Sequence, residues 1–137
     1  MAGRKTWREK MGPVKSPEVT TLARAMVGGR PGDRLLIPTP HLVRDYVVAI
    51  PRGETRDVLR LRADLAEAAG ADVTCPLTTG MFLRIVAEAA LEDAGAGAPQ
   101  EAVTPFWRVV DPVSPLARKL SCGPAFIEAR RHEEACA

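Results

Sequence analysis

Apolar positions recur every three or four residues in four long stretches of this chain, and each stretch predicts a helix. The first covers about 40–50. It opens with Thr39-Pro40, a capping hydroxyl followed by proline at the first helical position, and sets Val43, Tyr46, Val47 and Ile50 on one face before Pro51-Arg52-Gly53 ends the run. Asp57 caps a second helix over 58–69, with Leu61, Leu65 and Ala68 as its stripe and Gly70 as its left-handed stop. After a short connection, a third helix is expected over 77–93. There Leu77, Met81, Leu83, Ile85 and Val86 are available for burial, while Thr78, Thr79 and Arg84 are expected outside. A fourth helix closes the chain at about 125–134. Shorter patterns predict a brief helix in residues 5–11 with Trp7 and Met11 on one side, strands near 35–37 and 107–110, and an irregular wing over 111–124.

Two helices joined closely, the second opening with threonines and carrying an arginine, form a helix-turn-helix candidate. The expected fold class is α+β, mostly helical: a winged-helix-like domain with a helix-turn-helix and short strands. The division expected is a basic N-terminal arm, 1–34, followed by the domain, 35–137. With 137 residues, 46% apolar and only 4% aromatic, the chain supports one domain whose core is built from Leu, Val, Ile and Ala. The net charge of +2 says less than its distribution, because the arm holds eight Lys and Arg against three acids. Such an arm suits a polyanion, whose neutralised phosphates release counterions, and equally suits a solvated tail.

Other chemistries are disfavoured. Cys75, Cys122 and Cys136 form no CxxC pair, no disulfide framework and no metal-like grouping with His41 or His132, so neither a metal nor an oxidising compartment is expected. The Gly28–Asp33 loop lacks phosphate-binding spacing, and no cofactor is expected. No apolar run approaches membrane length and no signal peptide opens the chain, which predicts a cytoplasmic protein without a membrane partner. A monomer is expected.

One ordered set of motifs says more. The helix pair is followed by Pro105-Phe106-Trp107-Arg108-Val109, then by Gly123-Pro124-Ala125-Phe126-Ile127-Glu128-Ala129-Arg130-Arg131, with Glu134 continuing the pattern. In this order they resemble the DNA-binding half of the alkylguanine-DNA alkyltransferases over roughly residues 39–134. That family carries its acceptor cysteine in a Pro-Cys-His-Arg-Val segment and activates it through a histidine oriented by a glutamate. By the resemblance, Phe106 stands at the cysteine position, Trp107 at the histidine position, and Glu128 is what remains of the relay. The family's asparagine hinge has no counterpart, since the chain contains no Asn. Alkyl transfer needs a thiolate, so it is excluded at Phe106.

The resemblance therefore implies the alkyltransferase-like branch, which binds alkylated guanine without chemistry and hands it to excision-repair proteins. Double-stranded DNA is the expected partner. A base pocket is expected at Phe106, Trp107 and Glu128, because extruded bases are held by stacking and edge hydrogen bonds. The two rings are equally readable as core aromatics. The DNA-binding residues expected are Thr78, Thr79, Arg84, Arg108, Arg118 and Lys119. Met81 or Phe82 would act as a wedge between base steps or pack in the core. The alternatives are a winged-helix transcription or architectural factor, a protein–protein module, and a methyltransferase using Cys75 at the start of the third helix as a relocated acceptor.

Overall fold

The computed structural model describes residues 5–136, and these form a mostly helical α+β structure. The elements run α1 (Trp7–Lys10), β1 (Glu18–Thr21), β2 (Arg34–Ile37), α2 (Pro40–Val48), α3 (Val58–Ala69), β3 (Val73–Thr74), α4 (Pro76–Gly95), α5 (Pro115–Lys119) and α6 (Gly123–Ala135). Local chemistry sets the helix starts. Thr39 Oγ accepts the Leu42 N–H ahead of Pro40, Asp57 accepts the Arg60 N–H, and Gly70 ends α3 at a φ of 68°.

The sheet runs β1-β2-β3. β1 is antiparallel to β2, with Glu18 opposite Ile37, and β3 is parallel to it, with Leu36 opposite Thr74. A parallel neighbour requires a crossover, which α2 and α3 supply. The expected close turn between α3 and α4 therefore holds a strand.

Residues of the N-terminal arm enter this fold. β1 extends the sheet, and α1 lies on α4, where the Glu92 carboxylate accepts the Trp7 and Arg8 backbone N–H groups at 3.0 and 2.9 Å. Between β1 and β2 the chain turns at Val27 and Gly28. Val27 adopts a left-handed φ of 46°, a strained position for a β-branched residue. Its side chain packs on a small second core of Leu22, Leu35 and Cys75, which offsets the strain.

The main core joins α2, α3, α4 and the segment after α4. Val43, Val47, Ile50, Leu61, Leu83, Val86, Phe106 and Ile127 are all essentially inaccessible. Three expectations change here. On α3 it is Ala66, not Ala68, that turns inward with Leu61 and Leu65. On α4, Leu77 and Met81 are 69% and 61% exposed, whereas Thr79 is fully buried. Within the expected wing, Ser114 accepts the Ala117 N–H and Pro115 starts the short α5.

Residues 107–110 are not a strand. Phe106–Arg108 form a 3-10 turn, and the Val109 and Val110 N–H groups both donate to the Phe106 carbonyl. A strand sends alternate side chains to opposite faces. Here Phe106, Trp107, Val109 and Val110 are all buried, and the curled backbone carries them inward together.

Candidate nucleic-acid interface

Because α6 packs on the 3-10 turn, its inner face decides what surrounds the two aromatic rings. Ile127, Arg131 and Glu134 follow the i, i+4, i+7 spacing of one helix face. Ile127 fills the core, Arg131 Nε donates to the Trp107 carbonyl at 2.7 Å, and Glu134 meets Arg108. Arg108 Nε and Nη2 donate to the two Glu134 oxygens at 3.0 and 2.8 Å, and Nη1 donates to the Ile50 carbonyl at 2.7 Å. The pair is nearly enclosed, the side chains being 13% and 6% exposed. Burial alone would raise the Glu134 pKa. The Arg108 bonds, with the Trp107 ring nitrogen near the same carboxylate, outweigh it and hold the group below its ordinary value.

The rings are stacked inside. Phe106 is parallel to Phe126 at 6.0 Å and edge-on to Trp107 at 5.4 Å. Phe106 is 0% and Trp107 3% exposed. The Trp107 Nε1 is enclosed and meets no partner in hydrogen-bond geometry. Trp107 nevertheless forms part of the wall of two cavities. One, of about 530 Å³, also meets Arg44, Arg52, Gln100, Arg108 and Glu134. The other, of about 190 Å³, meets Leu91, Val103, Phe126 and Arg130.

This geometry rearranges the residues expected from sequence. Glu128 stands on the exposed side of α6 and lines neither cavity, so the carboxylate beside Trp107 is Glu134. Phe106 is core and reaches neither cavity wall. Arg108 has its guanidinium engaged within the fold, which removes it from a DNA-contacting surface. Thr79 turns inward, and its hydroxyl donates to the Cys75 carbonyl at 2.6 Å. Thr78 is half-buried with an enclosed, unpartnered hydroxyl. Arg84 is half-buried, lies over the Trp7 ring at 5.4 Å and has an enclosed Nε. Arg118 and Lys119 are exposed in the last turn of α5. Met81 faces outward, and Phe82 packs against the core.

Thr78 and Leu91 are 13 residues apart on one helix, or about 20 Å along its axis. The start of α4 and the smaller Trp107 cavity thus lie at opposite ends of α4.

Cys75 caps α4 and is 8% exposed. Burial pushes its thiol pKa up. The nearby Thr78 hydroxyl, the backbone N–H groups of Thr78 and Leu77 and the charge of Arg62 together bring it below the ordinary thiol value. No histidine assists it. His41 Nε2 lies 2.8 Å from the Gly12 carbonyl, and His132 neighbours Cys136 on the last helix.

Fold and site together define a mostly helical α+β domain with an aromatic turn sealed by an arginine–carboxylate pair. No family model, curated protein or solved structure matches the chain. Among the described residues, no helix is long and apolar enough to cross a membrane.

Proposed function

We propose that this chain is a non-enzymatic, alkyltransferase-like DNA-binding domain of winged-helix-like arrangement, which recognises alkylated guanine in duplex DNA and leaves its removal to excision-repair proteins. The observation that carries the reading is Trp107. It walls an open cavity of about 530 Å³, within the size range of small-ligand sites, and no cysteine lines that cavity. The indole, next to Arg108 and Glu134, offers an aromatic edge to an extruded base. It offers no thiol to accept an alkyl group. Arg118 and Lys119, exposed on α5, are available to phosphates.

Fluorescence anisotropy with labelled duplexes, one bearing alkylguanine and one undamaged, tests the reading. Tighter binding of the modified duplex is expected. Equal affinity for both would remove lesion recognition.

A second reading, alkyl transfer to Cys75, is favoured by its lowered thiol pKa. Its burial beneath the strained Val27 turn weighs against an approach to DNA.

A further inference from the structure

We infer that the groove beside α2, rather than the start of α4, carries the phosphodiester backbone of the bound strand; this rests on the DNA-binding reading above. A second cavity, of about 370 Å³, adjoins the 530 Å³ one, since Arg44 and Thr104 line both. The two form one groove that runs from His41 and Arg8, past Arg44, to Arg52 and the Trp107 wall. His41 and Arg44 are neighbours on one face of α2, and Arg52 follows in the loop beyond it.

The charges in this groove fall into two sets. Arg8 pairs with Asp93, Arg108 with Glu134, and Glu133 with Arg130. Arg44 and Arg52 are exposed and pair with no carboxylate among the described residues. The lining carboxylate left outside an ion pair is Glu101. The free charge is therefore positive, and it lies beside the Trp107 wall. That combination suits an anionic ligand. Each chamber is large enough for a small ligand, and two chambers joined end to end fit consecutive units of a strand better than one mononucleotide.

The start of α4 offers the opposite surface. Leu77 and Met81 are exposed and apolar, the Thr79 hydroxyl is engaged, and Arg84 lies on Trp7.

The test is the salt dependence of binding, followed by anisotropy with an alkylguanine duplex. It compares the unaltered protein, the double variant Arg44→Ala/Arg52→Ala, and a charge-matched control, Lys15→Ala/Arg24→Ala. Loss of two phosphate contacts should lower the slope of log K against log salt by about 2 and weaken binding roughly ten- to thirtyfold near 0.15 M salt. The control should keep the original slope, and all three proteins should share one thermal midpoint because these side chains are exposed. If the double variant keeps the slope and affinity of a protein that does bind DNA, the groove is not the track, and DNA binding survives. An equal loss in the control overturns the inference in favour of overall charge. Full displacement of the duplex by a mononucleotide overturns it in favour of a single-nucleotide site. If the unaltered protein binds no duplex at any salt, both readings fall.

Discussion

At its start, α4 leaves two large apolar side chains in solvent, whereas in the turn that follows its other end four buried residues, Phe106, Trp107, Val109 and Val110, flank a guanidinium that is enclosed with them. Leu77 and Met81 have no element above them, because α1 crosses α4 further along, at Arg84, Glu92 and Asp93. Arg108 is enclosed, and a carboxylate and a carbonyl accept a hydrogen bond from each of its three guanidinium nitrogens. Burial in this molecule follows the partners that the fold supplies, and residue type alone misjudges both ends. A buried charge is tolerated where its hydrogen bonds are complete.

The largest loss of stability is expected at Arg108. Arg108→Ala leaves the Glu134 carboxylate enclosed without its partner and should cost about 3–5 kcal/mol in urea unfolding. Replacing both residues together, as in Arg108→Met/Glu134→Leu, should cost much less. A full loss in the double variant would mean that the pair matters for its shape and not for its charge.

The pH dependence sharpens the same point. The folded Glu134 pKa is depressed, so its contribution is complete above the ordinary carboxylate value of about 4.3 and fades as pH falls through the lower folded value. The stability gap between the unaltered protein and Glu134→Gln should therefore shrink on acidification below that value. A gap that stays constant would show that the carboxylate is not held in its charged form.

At the other end of α4, Leu77→Lys and Met81→Lys should each stay within about 0.5 kcal/mol of the unaltered stability. Leu83→Ala, two residues from Met81 but fully buried, should cost about 2–5 kcal/mol. Thermal melts of the three variants would show the contrast. A large loss at Met81 would mean that something covers it in solution.

The helices were legible because their ends carry local chemistry. Thr39-Pro40, Asp57 and Gly70 place the ends of α2 and α3 to within two residues. Ser114-Pro115 is the same kind of start as Thr39-Pro40, and α5 could have been found from it. β1 left no pattern, since all four of its residues are exposed and no alternation marks them. The β-forming residues of 107–110 suggested a strand, but among the described residues no partner strand lies there, and Pro105 starts a turn.

Within the site, motif order led to Glu128, which is solvent-facing. Helical spacing from Ile127 would have led to Arg131 and Glu134, the residues that hold the aromatic turn. The engagement of Arg108 and the unpartnered N–H of Trp107 depend on contacts across 26 residues or more, or on enclosure, and no local pattern encodes either.

Intact-mass measurement of the protein recovered from a saturated complex with alkylguanine duplex tests whether the domain binds the lesion without accepting its alkyl group. With phenylalanine at position 106 and an indole beside it, the protein should bind and return at its starting mass. A gain equal to the alkyl group would contradict this account, and its disappearance in Cys75→Ser would locate the acceptor at the start of α4.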